Sequence, residues 1–332
     1  MRALRMRAIG MTRVHVWGAA GYAAAQAIEW IAAHPRLELA LLESKSHAGT
    51  LLGESFGAFR RSDLRFAESG SIESELAAGE IVLAAGAHGQ GRDTVERFLA
   101  RGARVVDLSA DFRFDERAAY GLAEWNRDAI AEAALVAIPG CYPTASLLPL
   151  LPLTAAFAPL AIVIDAKSGI TGAGRTPALG SMFAEVDGEI RAYGLSGHRH
   201  QPEIERALAL RGCENPLTFT PHVVPLSRGM LADIYLVLDR APDPHAVESV
   251  LQNAYRGSPF VRVLERGGAP SVAAVVGTND AEIAVDLCGK TIRAICAIDN
   301  LGKGAAGQAL QNINIMLGYP QEEGFHARTV AA

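Results

Sequence analysis

Short apolar runs alternate with longer amphipathic segments through the first half of the chain. Five of these runs are predicted to be buried β-strands: 13–17, 37–42, 81–85, 104–108 and 135–138. Segments 20–33 and 92–101 are predicted to be helices, and the polar stretch 44–57 is predicted to be a loop. Because strand–helix–strand alternation is typical of a parallel sheet with helical crossovers, the first half is predicted to be an α/β domain.

The second half has a different pattern, because strand-like runs follow one another with few helices between them. The predicted strands are 161–167, 217–224, 231–238, 260–264, 282–287 and 291–298. Segments 244–255 and 304–317 are predicted to be helices, and apolar residues of the latter recur at helical spacing. Runs of strands with few crossovers indicate a mixed or antiparallel sheet in an α+β domain.

One uncharged stretch, 133–164, is long enough to span a bilayer. Five prolines interrupt it: Pro139, Pro143, Pro149, Pro152 and Pro159. A buried strand, turn, helix and strand is therefore the favoured interpretation, and no membrane partner is predicted. Residues 1–12 carry arginines but lack the apolar core of a secretory signal, so the protein is predicted to be cytoplasmic.

Composition narrows the function classes. The 332 residues carry 31 Lys and Arg against 36 Asp and Glu, which gives a formal net charge of −5 and argues against a nucleic-acid partner. The length suits about two domains. The four cysteines form no CxxC pair, so we predict neither a disulfide framework nor a zinc site, and a reducing compartment is expected.

A Gly-Ala-Ala-Gly-Tyr turn at 18–22 follows the first strand and opens a helix. Gly18 permits a sharp turn, and Gly21 lets the backbone approach a diphosphate at the helix N-terminus, where free N–H groups favour negative charge. Ala24 is small enough for the helix to pack against the strand. An ordinary strand–helix corner is the alternative, but the βαβ context favours a dinucleotide site.

Selectivity between NAD and NADP should be set just after the second strand, where the sequence reads Glu43-Ser44-Lys45-Ser46. Glu43 could hold a ribose 2′-hydroxyl, which would favour NAD. The next three residues could bind a 2′-phosphate, which would favour NADP. The spacing leaves both possibilities open.

Cys141 is the candidate nucleophile. It lies in the Gly-Cys-Tyr-Pro-Thr segment 140–144, after a buried strand and before a predicted helix start at 145–148. Pro143 suits a first helical position, which places the thiol just before a helix N-terminus, where positive potential lowers a thiol pKa. A buried structural cysteine is the alternative, and the other three cysteines are predicted to be of that kind: Cys213, Cys288 and Cys296.

Two histidines flank an arginine at His198-Arg199-His200. An imidazole can take a proton from a thiol and return it, and Arg199 can hold a carboxylate or phosphate. A surface histidine pair or half a metal site is the alternative. No third ligand at metal spacing is evident, so no metal is predicted.

Two further segments suit a phosphate-bearing substrate. Segment 109–113 follows a predicted parallel strand, where open α/β sheets place ligands, and it ends in Arg113. Segment 167–175 is a glycine-rich loop whose N–H groups could cradle an anion, with a plain mobile loop as the alternative.

Eight segments, in this order, make the chain resemble the N-acetyl-γ-glutamyl-phosphate reductase family. They run nearly from end to end: 18–22 (GAAGY), 105–112 (VVDLSADF), 139–145 (PGCYPTA), 167–175 (KSGITGAGR), 197–204 (GHRHQPEI), 219–229 (FTPHVVPLSRG), 277–279 (GTN) and 299–312 (DNLGKGAAGQALQN). The resemblance implies an arginine-biosynthesis enzyme. It would reduce the small-molecule acyl phosphate N-acetyl-glutamyl 5-phosphate with NADPH, through a cysteine thioester, to the 5-semialdehyde and phosphate.

The resemblance also implies an architecture. A Rossmann-type NADP-binding domain is expected at 12–150, and an α+β semialdehyde-dehydrogenase-like domain with a mixed or antiparallel sheet is expected at 151–302. A C-terminal helix within 303–332 is expected to complete the first domain. The family's assembly implies a homodimer or homotetramer.

Residue roles follow by motif position. Cys141 is implied as the nucleophile, His200 as the preferred base and His198 as a substrate contact, although the motif leaves the two histidine roles open. Arg113 and Arg199 are expected to bind substrate. The expected cofactor-binding residues are Gly18, Ala20, Gly21, Tyr22, Ser44, Lys45, Ser168, Gly169 and Asn300.

The chain departs from the family pattern at several positions. Ala20 replaces a serine and Ala23-Ala24 replace Thr-Gly, so two hydroxyls near the diphosphate are lost, and Ile138 replaces a usual asparagine. One alternative is a related acyl-phosphate reductase, either aspartate-semialdehyde dehydrogenase or the carrier-linked aminoadipyl-phosphate reductase. The compact His-Arg-His motif argues against the aspartate enzyme. A catalytically silent NADP-binding protein is the other alternative.

Overall fold

Residues 10–325 are described by a computed structural model, in which two seven-stranded sheets carry the fold. The strands of the first sheet are β1 (Thr12–Trp17), β2 (Leu37–Glu43), β3 (Phe66–Ala67), β4 (Ile81–Ala84), β5 (Arg104–Asp107), β6 (Ala119–Tyr120) and β7 (Leu135–Ala137). Their order is β3-β2-β1-β4-β5-β7-β6, and every pairing is parallel. The prediction of a parallel α/β sheet is confirmed.

Helices cover both faces of this sheet. They are α1 (Tyr22–Ala33), α2 (Leu52–Ser55), α3 (Ser71–Glu75), α4 (Arg92–Ala100) and α5 (Ala123–Glu132). Alternate residues of β4 point to opposite faces, because Ile81 and Leu83 pack with α1 while Val82 and Ala84 pack with α4. The predicted loop 44–57 contains the single turn α2, which its polar pattern does not indicate.

The second sheet is mixed, as predicted. Its strands are β8 (Ala161–Ser168), β9 (Arg191–Ala192), β10 (Leu217–Val223), β11 (Met230–Val237), β12 (Val261–Val263), β13 (Ala281–Cys288) and β14 (Thr291–Ile298). They lie in the order β12-β13-β14-β11-β8-β10-β9, with β8 parallel to β10, β12 parallel to β13, and the other neighbours antiparallel. The helices of this half are α6 (Cys141–Ala156), α7 (Phe183–Val186), α8 (His200–Ala209), α9 (Pro244–Ala254), α10 (Val272–Val275) and α11 (Gly307–Met316).

Helix α6 connects the two halves. It begins directly after β7 of the first sheet, and its apolar residues, including Leu147 and Leu150, lie in the core beneath the second sheet. The helix therefore crosses the expected boundary between residues 150 and 151. The uncharged stretch 133–164 forms strand, helix and strand, and within residues 10–325 no helix is long and apolar enough to cross a membrane.

The C-terminal segment returns to the first sheet. A π-helical turn, Gly302–Ala306, leads into α11, and Ala309 and Ile313 pack in the same cluster as Ile28 of α1. The buried Lys303 Nζ lies 2.5 Å from Glu124 Oε1 of α5 and ties this turn to the first half. Residues 1–9 and 326–332, which the sequence interpretation also covers, lie outside the described residues.

One face of the second sheet carries partly exposed residues at alternate positions of β8 and β11, opposite the face that packs on α6. Val163 and Val237 on this face are each 36% exposed. The same face carries Asp165, Lys167 and Asp233, where the Lys167 ammonium pairs with both carboxylates.

Candidate active site

A cavity of about 340 Å³ lies where α6, α8 and the end of β8 meet. It brings together six of the predicted site residues: Cys141, Ser168, Gly169, His198, Arg199 and His200. Its volume is at the small end of the range for ligand sites in proteins. The cavity can therefore hold a compact metabolite, with a thiol and two imidazoles on its wall.

Cys141 is the first residue of α6, and Gly140 is its N-cap. The helix begins four residues before the predicted start, because the Thr144 N–H and the Thr144 hydroxyl both donate to the Gly140 carbonyl, at 2.9 and 3.0 Å. Pro143 is thus the third helical residue, where its missing N–H is still not needed. Cys141 lies within the first turn, with its sulfur at the positive end of the helix.

Burial raises the pKa of the Cys141 thiol, which differs from the lowered pKa expected at a helix N-terminus. The Arg199 guanidinium and the Tyr142 N–H favour the thiolate but do not outweigh the loss of hydration. Cys141 therefore rests as a thiol, and its attack on a substrate requires a base.

His200 is placed to serve as that base. It is the first residue of α8, it is 2% exposed, and among the described residues neither ring nitrogen has a hydrogen-bond partner. Burial and the adjacent Arg199 charge hold the His200 pKa well below its usual range, so the ring is neutral at pH 7. A neutral imidazole with an unpaired nitrogen can accept a proton from a nearby thiol.

His198 packs against His200, with ring centroids 4.9 Å apart. The His200 backbone N–H donates to Nδ1 of His198 at 3.2 Å, which leaves the hydrogen of the neutral ring on Nε2. Burial, followed by the Arg199 charge, lowers the pKa of His198 to about 4. His198 is therefore a neutral hydrogen-bond donor on the cavity wall.

Glu203 is a site residue that the sequence interpretation did not single out. Its carboxylate accepts hydrogen bonds from the Gly140 N–H, the Tyr120 hydroxyl and Arg113 Nη1, each at 2.9 Å. Glu203 follows His200 by three residues on α8, and this spacing, which places both on one helix face, was the available signal. The carboxylate joins the base-bearing helix to the N-cap of α6.

Arg113 lies beneath the site and not on the cavity wall. Its side chain is 4% exposed, pairs with Glu203, and donates from Nε to the Ile138 carbonyl at 2.9 Å and from Nη2 to the Leu108 carbonyl at 3.3 Å. The guanidinium is held by protein acceptors in this structure, and the expected contact of Arg113 with substrate stays a prediction. Arg199, in contrast, is exposed and lines the cavity.

The side-chain amide of Asn300 also forms hydrogen bonds with other residues of the protein. Its Oδ1 accepts the Gly229 N–H at 2.7 Å, and its Nδ2 donates to the Thr171 hydroxyl at 3.0 Å. Asn300 thereby fixes the loop that follows β8, next to Ser168 and Gly169. The side chain of Asn300 supports this loop, and the expected role of Asn300 in cofactor binding stays a prediction.

The glycine turn after β1 fits a dinucleotide. Gly18 has φ +75°, and a Cβ there would lie 2.7 Å from the backbone of Ala85 and Gly86, so only glycine is accommodated. Gly21 is the N-cap of α1, and a Cβ there would meet nothing within 4 Å. The helix N-terminus that begins at Tyr22 is thus open to an anionic group.

Arg175 connects this turn to the second half of the chain. Its Nη1 donates to the Ala20 carbonyl at 3.0 Å and its Nη2 to the Ser55 carbonyl at 3.1 Å. The guanidinium lies 4.4 Å from the ring centre of Phe56. The glycine-rich loop 167–175, which starts at the thiol cavity, therefore ends at the dinucleotide turn.

The carboxylate of Glu43 is engaged by the backbone of a neighbouring helix. Its Oε2 accepts the Ile72 N–H at 3.1 Å, near the start of α3, and its side chain is buried. Ser44 is also buried, whereas Lys45 is exposed at the end of β2. Of the two possibilities that the sequence leaves open, this arrangement favours NADP. Within residues 10–325, no group of three or more His, Cys, Asp and Glu side chains is placed to hold a metal ion.

Comparison with known proteins adds independent findings. The semialdehyde dehydrogenase NAD-binding domain matches residues 13–133, and the semialdehyde dehydrogenase dimerisation domain matches residues 141–300. Aspartate semialdehyde dehydrogenase II from Vibrio cholerae has the same fold, with a TM-score of 0.76 at 17% identity over 93% of this chain and 99% of that one. The enzyme with NADP from Candida albicans has a TM-score of 0.71 at 16% identity, over 92% and 98% of the two chains.

Relatives found by sequence share more identity with this chain than these solved structures do. N-acetyl-gamma-glutamyl-phosphate reductase from Desulfotalea psychrophila is 39% identical, covering 95% of this chain and 98% of the relative. The proteins of that name from Moorella thermoacetica (38% identical, 94% and 97% covered) and Neisseria gonorrhoeae (39%, 93% and 96%) are similarly related. The chain belongs to the N-acetyl-γ-glutamyl-phosphate reductase family.

Proposed function

We propose that this protein is an arginine-biosynthesis enzyme that reduces N-acetyl-glutamyl 5-phosphate with NADPH to N-acetyl-glutamate 5-semialdehyde and phosphate. The names and near-complete coverage of its relatives support this reaction. The observation that carries it is that Cys141, at the start of α6, and the neutral imidazole of His200, whose nitrogens have no hydrogen-bond partner among the described residues, line the same cavity.

The first step acylates Cys141. The sulfur attacks the carbonyl carbon of the acyl phosphate, and the thiol proton passes to a ring nitrogen of His200. The bond from that carbon to the phosphate oxygen breaks, and phosphate leaves with the electron pair. Arg199, exposed on the cavity wall, stabilises the departing negative charge. A thioester remains on the protein.

The second step reduces the thioester. The chemistry that NADPH would supply when bound is a hydride for the thioester carbon. N–H groups in the first turn of α6 stabilise the resulting oxyanion, because they have no intrahelical acceptor. The carbon–sulfur bond then breaks to release the aldehyde, and protonated His200 returns its proton to the Cys141 sulfur.

Three segments would hold the cofactor: the glycine turn after β1, the end of β2 and the loop after β8. Gly18, Ala20, Gly21 and Tyr22 would hold the diphosphate with backbone groups, which do not depend on the missing turn hydroxyls. Ser44 and Lys45 would hold the 2′-phosphate. Ser168 and Gly169 would lie on the nicotinamide side, held there by Asn300. These positions run from the open N-terminus of α1 to the cavity at Cys141.

We further propose a cytoplasmic homodimer or homotetramer. The matched dimerisation domain supports self-association, and the partly exposed face of the second sheet around Val163 and Val237 is a suitable surface. A cofactor domain at 12–150, completed by 303–332, and a substrate domain at 151–302 remain our proposed division, with α6 packing against the substrate sheet.

The reverse reaction tests this function. The protein, N-acetyl-glutamate 5-semialdehyde, phosphate and NADP⁺ should produce NADPH absorbance that requires phosphate, and Cys141→Ser should fold but lose turnover. Mass spectrometry should find the acyl group on Cys141 when the acyl phosphate is added without cofactor. Faster oxidation of aspartate semialdehyde or a carrier-linked aminoadipate semialdehyde would favour a related reductase. Binding of NADP⁺ without any acyl adduct would indicate a silent protein.

A further inference from the structure

The cavity carries two arginines, Arg191 and Arg199, and no acidic side chain of the described residues lines it. Arg199 lies on the side of the reacting groups, since its charge acts on both Cys141 and His200. Arg191 lies on a different element, the edge strand β9, and its guanidinium is held by the carbonyl of Gly180. The cavity therefore has a second cationic position, carried by a different element from the one that bears Arg199.

Arg191 is held in place by neutral partners. Its backbone is in the edge strand β9, opposite Val223 of β10, and its Nη2 donates to the Gly180 carbonyl at 2.6 Å. Its Nη1 lies 3.5 Å from the Glu185 carbonyl oxygen. Across residues 10–325, no carboxylate is within ion-pair distance of the guanidinium. Its charge is fixed in direction and has no counterion, which suits a carboxylate ligand.

We infer that Arg191 binds the α-carboxylate of an N-acylated acidic substrate in the cavity and thereby sets substrate specificity. The inference rests on the proposed function, whose substrate has two anionic groups, the acyl phosphate and the α-carboxylate. Arg199 would pair with the phosphate, and Arg191 would pair with the α-carboxylate. The same cavity disfavours a free α-ammonium group, because no carboxylate on its wall could pair with it.

The kinetic test compares two aldehydes that differ only in this carboxylate. They are N-acetyl-glutamate 5-semialdehyde and 4-acetamidobutanal, assayed with phosphate and NADP⁺ against wild type and Arg191→Gln. With the first aldehyde, the variant should lose about 10- to 100-fold in kcat/KM, mostly through KM, as expected for a lost charge-assisted contact. With 4-acetamidobutanal, wild type and variant should agree within about threefold. Equal losses with both aldehydes would overturn the inference.

A binding measurement separates this inference from the reaction itself. Calorimetry with N-acetyl-L-glutamine and with its α-amide needs no turnover, and wild type should bind the acid at least about tenfold more tightly. Arg191→Gln should remove that preference. If wild type lacks turnover but keeps the preference, the proposed reaction is wrong and the carboxylate site stands. If wild type binds both compounds equally, the carboxylate site is wrong whatever the reaction.

Two further variants guard against a folding artefact. A Cβ at Gly180 would lie 2.9 Å from Arg191 Nη2, so Gly180→Ala should displace the guanidinium and reproduce part of the lost preference with the arginine still present. Arg256→Gln changes an exposed arginine at the end of α9, and it should behave as wild type with both aldehydes. If Gly180→Ala kept the full preference for the acid over the amide, the position of the Arg191 guanidinium would not determine carboxylate binding.

Discussion

The imidazole of His200 lies against the α-carbon of Gly140, so closely that a Cβ at residue 140 would come within 2.3 Å of Nε2. Gly140 is the N-cap of the helix that Cys141 begins, and its φ of −62° and ψ of 157° are open to any residue. Glycine is therefore required here by the space that the histidine ring occupies and not by the backbone conformation. This contact places the base next to the nucleophile.

Gly140→Ala should displace the ring and separate the base from the thiol. The imidazole has little room to yield, because it is buried beside Tyr142 and His198. We expect kcat to fall at least about 100-fold, the usual contribution of a general base, with far-UV circular dichroism unchanged. Gly57→Ala is the matched control, since a Cβ there meets nothing within 4 Å. Wild-type kcat in Gly140→Ala would show that His200 does not need its observed position.

The protonation states of the site predict how Cys141 responds to pH. Burial raises the pKa of its thiol, so the thiolate fraction at pH 7 should be smaller than for free cysteine, whose pKa is about 8.5. Iodoacetamide should therefore alkylate Cys141 slowly at pH 7, with a midpoint above about 8.5. Peptide mass spectrometry can follow the reaction, with the exposed Cys288 as an accessible reference. A midpoint near pH 6 would indicate a resting thiolate–imidazolium pair.

The same reasoning applies to the acidic side of the rate profile. Burial lowers the pKa of His200, so the ring should stay neutral to a pH well below the usual value of about 6.5. The kcat/KM of the reverse reaction should therefore decline only below about pH 6 on this limb. A decline centred near pH 7 would mean that a different group acts as the base.

The site shows which features a sequence can predict. The glycine turn, the thiol and the His-Arg-His motif are local, and the structure gathers Cys141, His198 and His200 in one cavity. The raised pKa of the Cys141 thiol was not predictable from the sequence, because the burial that causes it depends on residues far along the chain. Arg191 was missed for the same reason, since only the pairing of β9 with β10 brings it to the cavity wall.

The alternating pattern of the first half predicted its parallel sheet well, because the central strands β4, β5 and β7 are buried on both faces and contain apolar runs, whereas the two-residue strands β3 and β6 were not predicted. Helix α8 was not predicted, because its sequence begins with the polar run His200-Gln201-Pro202-Glu203. Two of those polar groups, His200 and Glu203, are buried by contacts with the start of α6 that no local pattern encodes.

Glu203→Gln should lower both the stability of the protein and its turnover rate. The amide would point an N–H group at Arg113 Nη1 and leave the guanidinium charge without its buried partner. Breaking such a pair lowers the free energy of unfolding by about 3 kcal/mol, which urea denaturation can measure. Tyr120→Phe removes one hydrogen bond to the same carboxylate and should cost only about 1 kcal/mol. Equal stability of Glu203→Gln and wild type would contradict this account of the carboxylate.

The end of β2 predicts how the two dinucleotides are distinguished. Lys45 is exposed beside the expected 2′-phosphate, so Lys45→Met should raise KM for NADPH about tenfold and leave KM for NADH unchanged. The Glu43 carboxylate accepts the Ile72 N–H, so Glu43→Gln should keep the ratio of the two KM values within about threefold while weakening the start of α3. Initial rates with both cofactors measure these ratios. If Glu43→Gln instead improved NADPH over NADH tenfold, its carboxylate would face the ribose after all, and the contact with Ile72 would not persist when cofactor binds.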